Sequence, residues 1–94
     1  MILKYFADYI QQNKLTPNLK VLILWVKSRL DTPPTCHEDK VIQAEIYIAK
    51  NFQGEFCLIG KSETGRNLIN SLYNYVLSCQ NLIEARQKHN EQND

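Results

Sequence analysis

The sequence predicts an all-α protein, a compact four-helix bundle in which the C-terminal helix is much longer than the others. Three observations favour this class: apolar residues recur at helical spacing, helix-start and helix-stop residues separate the segments, and a long apolar stripe fills the C-terminal third. The 94 residues fit one domain, 1–94, with a polar, frayed tail from about residue 88. The alternative is an α+β fold with a β-hairpin at about residues 45–60.

The first two helices are predicted over about residues 2–13 and 17–30. Thr16 is a good N-cap for the second helix, and Pro17 suits a first helical position because its missing N–H costs nothing there. The apolar run VLILWV at 21–26 fits either a buried helix or a buried strand, and the Thr-Pro start favours helix. The stripe of the first helix consists of Ile2, Leu3, Phe6, Tyr9 and Ile10, and that of the second of Leu19, Leu22, Ile23, Val26 and Leu30.

The third helix is predicted over about residues 36–52. The prolines of Asp31-Thr32-Pro33-Pro34 stop the second helix, and Thr35-Cys36-His37-Glu38 matches a capping box that would start the third. The rival interpretation makes EIYIAKNFQGEFCLIG a β-hairpin that turns at Gln53-Gly54, because its apolar residues are largely β-branched or aromatic. The capping box favours the helix.

The last helix is predicted to start at Ser62 or Thr64 and to run to about residue 88, after a short extended segment at 56–59. Its apolar residues recur at spacings of three and four, as in a heptad seam. A helix of about 25 residues spans nearly 40 Å, more than the shorter helices can cover. We therefore expect part of this face to contact a second copy as a homodimer. The predicted interface residues are Ile69, Leu72, Tyr73, Tyr75, Val76, Cys79 and Ile83.

Composition narrows the function classes. Eleven Lys and Arg residues against ten Asp and Glu residues give a net charge of +1, whereas nucleic-acid binders are usually strongly basic. The longest apolar run has six residues, well short of the roughly 20 that a membrane-spanning helix needs. No secretory signal pattern is visible at the N-terminus, and the three cysteines are odd in number and widely spaced. We expect a soluble, cytoplasmic protein with reduced thiols.

Gly60-Lys61-Ser62 resembles the end of a phosphate-binding loop, with Gly54 upstream. Five residues separate the two glycines where the motif needs four, and no magnesium-binding Asp follows an apolar strand. A weaker expectation is an anion bound at the start of the last helix, where free N–H groups attract negative charge. The candidate anion-binding residues are Lys61, Ser62, Thr64 and Arg66.

The sequence indicates no catalytic constellation, no metal ligand set and no cofactor motif. The cysteines and histidines do not form Cys-x-x-Cys pairs or an activated thiol arrangement. The predicted function is therefore a non-catalytic protein–protein interaction module, a regulator, adaptor or assembly factor, whose partner the sequence does not identify. The alternative is a nucleic-acid-binding transcriptional regulator that uses the basic residues Lys61 and Arg66.

Overall fold

A computed structural model describes the backbone of residues 2–92 and the side chains of residues 2–82. In chain order the elements are α1 (Ile2–Gln12), α2 (Leu19–Asp31), α3 (His37–Glu45), β1 (Ile46–Lys50), β2 (Phe56–Gly60) and α4 (Glu63–Gln92). The two strands form an antiparallel sheet. The fold is α+β, so the predicted all-α class is wrong, and the alternative with a hairpin at about residues 45–60 matches the chain.

The predicted third helix fails because α3 ends at Glu45 and the chain continues directly as a strand. Ile46 pairs with Gly60, Ile48 with Leu58, and the register continues in this way to Lys50 and Phe56. β-branched and aromatic side chains fit this pleated surface well. The helix that begins after these capping residues is only 9 residues long, because the residues from Ile46 on pair as a strand.

The hairpin turn is organised by Asn51 and Gly54. The Asn51 N–H donates to the Glu55 carbonyl at 2.9 Å, and the Gly54 N–H donates to the Asn51 carbonyl at 3.0 Å. The Asn51 side-chain oxygen accepts two further bonds, from the N–H groups of Gln53 and Glu55. Gly54 has a φ of 75°, a conformation that glycine adopts without the Cβ penalty. The loop therefore resembles the three-residue hairpin connection that ends in a left-handed glycine.

Helix starts differ slightly from the predicted ones. The N-cap of α2 is Asn18, whose side-chain oxygen accepts from the Val21 N–H at 2.9 Å, and not Thr16. Before α3 the N-cap is Cys36 and not Thr35, and Cys36 makes no side-chain cap hydrogen bond; the Asp39 carboxylate accepts from the Thr35 N–H instead. Asn ranks above Thr as an N-cap, so local competition between the two decides where α2 begins.

The core is one apolar cluster to which every element contributes. Phe6 packs against Trp25 with ring centroids 5.2 Å apart, and against Tyr75 in a T-shaped arrangement with centroids 5.9 Å apart. The hairpin contacts both α2 and α4, with β2 lying mainly on α4. The buried apolar residues are Ile2, Phe6, Ile10, Leu22, Trp25, Val26, Ile42, Ile46, Leu58, Ile69, Leu72 and Val76.

Candidate functional site

The predicted seam of α4 divides between the core and the surface. Ile69, Leu72 and Val76 are buried in the core of the single chain, packed with residues of α1, α2 and the sheet. Tyr73, Tyr75 and Cys79 are half-buried, and the side chain of Ile83 lies outside the described residues, as does the predicted polar tail. Between residues 63 and 82, a contact of α4 with another molecule would therefore use the neighbouring faces of the helix.

One of these faces, the α4 flank, borders two cavities. We define the flank as five residues spaced four and three apart: Arg66, Asn70, Tyr73, Leu77 and Gln80. A cavity of about 310 Å³ lies between its first half and the strand β2, and includes Gly60. A second cavity of about 320 Å³ lies between its second half and Leu19 of α2. Because Tyr73 lines both cavities, the two form a continuous, mostly uncharged groove along the α4 flank.

Tyr75 and Cys79 lie on the opposite side of the seam from Tyr73. Tyr75 packs against Phe6 with the two rings at 75° to each other. The pKa of Tyr75 is raised, first by burial and then by the charge of Cys79 and a hydrogen bond with it. A tyrosine with a raised pKa keeps its proton at neutral pH. Tyr75 therefore packs against the core, and Tyr73 is the seam tyrosine that lines the groove.

The four predicted anion-binding residues lie around the start of α4, but the site already contains a carboxylate. The Ser62 hydroxyl donates a short hydrogen bond to the Glu45 carboxylate, so the chain itself places a negative charge there. The Lys61 ammonium donates to the Gln43 carbonyl at 3.3 Å. Thr64 and Arg66 are exposed. The alternative of nucleic-acid binding through Lys61 and Arg66 stays a prediction.

The glycines of the GKSETG stretch have a packing role. A Cβ built on Gly65 would lie 2.3 Å from the Glu45 carbonyl oxygen, and one built on Gly60 would lie 2.4 Å from the backbone nitrogen of Arg66. The Lys61 N–H also donates to the Glu45 carbonyl at 2.7 Å. Backbone therefore touches backbone where α3, β2 and the first turn of α4 meet. The resemblance to a phosphate loop reflects this close approach.

A polar cluster that the sequence did not reveal lies between α1, α2 and the start of α3, beside a cavity of about 400 Å³. Asp39 is buried; its carboxylate accepts from the Thr35 hydroxyl at 2.9 Å and lies 3.6 Å from the Arg29 guanidinium. Burial acts to raise the Asp39 pKa, but the Thr35 hydrogen bonds and the Arg29 charge outweigh it and hold the pKa below its ordinary value. The sequence feature that could have revealed this cluster is the pair of adjacent acids Glu38-Asp39 shortly after Thr35.

Tyr5, Cys36 and Glu38 also line the cavity beside this cluster. The Glu38 charge, followed by that of Cys36, raises the pKa of the Tyr5 hydroxyl. The Glu38 pKa is lowered, chiefly by a hydrogen bond from its own backbone N–H. The Arg29 Nε is buried without a hydrogen-bond partner among the described residues. This arrangement ties the N-terminus of α3 to α2 by charge and hydrogen bonding.

Within residues 2–82, no group of three or more His, Cys, Asp or Glu side chains lies close enough together to hold a metal ion. Cys36, Cys57 and Cys79 are free thiols. None of the described helices is long and apolar enough to cross a membrane. Comparisons with protein-family models, curated proteins and solved structures find no match.

Proposed function

We propose that this chain is a non-catalytic protein–protein interaction module, a regulator, adaptor or assembly factor, that works in the cytoplasm as a homodimer through α4. The observation that supports the proposal most is the apolar exposure along the α4 flank. Leu77 is 54% exposed, and Leu19 beside it is 48% exposed. Tyr73 adds an aromatic side chain, and Asn70 and Gln80 add polar ones, which is the mixture that recognition surfaces use.

The length of α4 is the second support. Its 30 residues span about 45 Å at 1.5 Å per residue, whereas the 13 residues of α2 span about 20 Å. The molecule is correspondingly elongated, with a longest extent of 50 Å. A second copy would cover apolar surface that the remaining elements of one chain do not reach.

The test is the mass in solution of the wild type and of two matched variants. Leu77→Glu places a charge on the α4 flank, and Leu24→Glu places one at a leucine of α2 that is equally exposed, 54% in both cases. Light scattering should give about twice the 11.0 kDa chain mass for the wild type and for Leu24→Glu, but the monomer mass for Leu77→Glu. Burying an unpaired carboxylate in an interface costs several kcal/mol, enough to separate the two results.

The outcome that contradicts this proposal is a wild type that stays monomeric at hundreds of micromolar. Equal dissociation by both variants would also contradict it, because the effect would then come from added charge and not from the α4 flank. Circular dichroism of each variant checks that the helices remain folded.

A further inference from the structure

The outer edge of β2 has backbone groups that point away from β1. Residues that exchange hydrogen bonds alternate along an antiparallel pair with residues whose N–H and C=O face outward. The bonds from Asn51 to Glu55 and from Lys61 to Glu45 fix the odd-numbered residues as the bonded set. The N–H and C=O groups of the even-numbered residues of β2, Phe56, Leu58 and Gly60, therefore face the free edge.

Nothing in the described part of the chain pairs with this edge. The sheet has only β1 and β2, and no backbone hydrogen bond outside the ladder and the helices involves Phe56, Leu58 or Gly60. The outward N–H and C=O groups of β2 therefore have no strand partner among the described residues, and unpaired strand edges favour pairing with another strand.

The sequence of the edge is complementary to itself in the antiparallel direction. With Leu58 opposite Leu58 of a second copy, Cys57 faces Ile59 and Phe56 faces Gly60. One step further, Glu55 faces Lys61, which places opposite charges together at both ends of the pairing. An aromatic residue opposite a strand glycine covers the backbone that the glycine leaves bare. A two-fold interface needs this self-complementarity, because both copies present the same residues.

The other edge of the sheet is less suited to pairing. The outward N–H of Ile46 already donates to the Ile42 carbonyl as the C-terminal cap of α3. If β1 paired with itself about Ile48, Lys50 would face Ile46, an apolar residue. The free edge that accepts a partner most readily is therefore that of β2.

We propose that β2 pairs with β2 of a second copy, antiparallel about a two-fold axis at Leu58, to form a four-stranded sheet in the order β1-β2-β2-β1. Each outward-facing pair exchanges two hydrogen bonds, so the three pairs would form about six. This inference rests on the proposed homodimer and names the strand that joins its two halves. The α4 flank lies beside the same edge, across the cavity that Gly60 and Tyr73 line. The sheet and the flank would thus form one continuous interface.

The test exchanges the charges at the ends of the pairing. Glu55→Lys alone puts Lys opposite Lys61 twice in each homodimer, and Lys61→Glu alone puts Glu opposite Glu55 twice. Mixing the two variants restores two opposite-charge pairs in the heterodimer. Each single variant should dimerise roughly tenfold more weakly than the wild type, and the mixture should recover wild-type affinity, measured by sedimentation at low salt.

The outcomes separate the two proposals. If each single variant dimerises like the wild type while Leu77→Glu is monomeric, the β2 pairing is wrong and the homodimer through α4 stands. If both variants weaken the dimer and the mixture fails to recover, the charges act within each chain and the pairing is also wrong. Residues 55 and 61 do not face each other within one chain, where Glu55 lies opposite Asn51, so only an intermolecular contact predicts recovery.

Discussion

Replacing Gly65 with alanine should destabilise the protein, although alanine is the better helix former. In an exposed helix the substitution would stabilise by about 1 kcal/mol. Here the new Cβ would lie 2.3 Å from the Glu45 carbonyl oxygen and 3.2 Å from its carbonyl carbon. These are backbone atoms, which cannot move aside as the end of a flexible side chain can. The first turn of α4 and the end of α3 must therefore separate.

Overpacking of this kind costs about 1–3 kcal/mol, and more when backbone must shift. After the gain in helix propensity, we expect a net loss of about 1–2 kcal/mol in the free energy of unfolding. In a domain of this size that corresponds to a fall in Tm of roughly 5–15 °C. Urea unfolding followed by circular dichroism measures it.

Asn67→Ala is the matched control for this substitution. Asn67 lies on the exposed side of α4, two residues further along the helix. Alanine there should raise the free energy of unfolding by about 0.5 kcal/mol. A Gly65→Ala variant as stable as wild type would refute the contact between α3 and α4, and with it the position of β2 beside the α4 flank.

Two further predictions concern the core and the polar cluster. Leu72→Ala should lower the free energy of unfolding in urea by about 2–5 kcal/mol, because Leu72 is a core residue. The mass in solution should stay that of the wild type. A lost dimer with unchanged stability would place Leu72 at the interface instead. Asp39→Asn should cost about 2 kcal/mol at pH 7, since Arg29 and Thr35 lose a buried charged acceptor. Because folding lowers the Asp39 pKa, the stability that it contributes is present above its unfolded pKa of about 3.9 and is lost as the pH falls through the lower folded value. The difference in the free energy of unfolding between the wild type and Asp39→Asn should therefore narrow below about pH 4. A difference that grows on acidification would contradict this account.

Periodicity predicted the helices of this chain but could not predict where α3 ends. Val41 and Ile48 continue a helical stripe across the boundary, so the local pattern fits a helix as well as a strand. The decision comes from pairing between Ile48 and Leu58, ten residues apart along the chain, which no local signal contains. The local features that indicated the hairpin were the turn residues Gln53 and Gly54 and the β-branched and aromatic residues on either side of them.

The apolar seam of α4 shows a different limit. The sequence predicts that Ile69, Leu72 and Val76 need covering, and it cannot say what covers them. In the fold, α1, α2 and the sheet cover these three residues. What remains exposed is the flank with Leu77, whose helical spacing was visible but whose position beside the β2 edge depends on tertiary structure.

The most direct test of the dimer through β2 is amide hydrogen exchange at two protein concentrations. The N–H groups of Cys57 and Ile59 bond to β1 within one chain, so they should be protected at both concentrations. Those of Phe56, Leu58 and Gly60 face the free edge and should become protected only at the concentration where the mass doubles. If these three amides exchange equally fast in the monomer and in the dimer, the two copies do not join through β2.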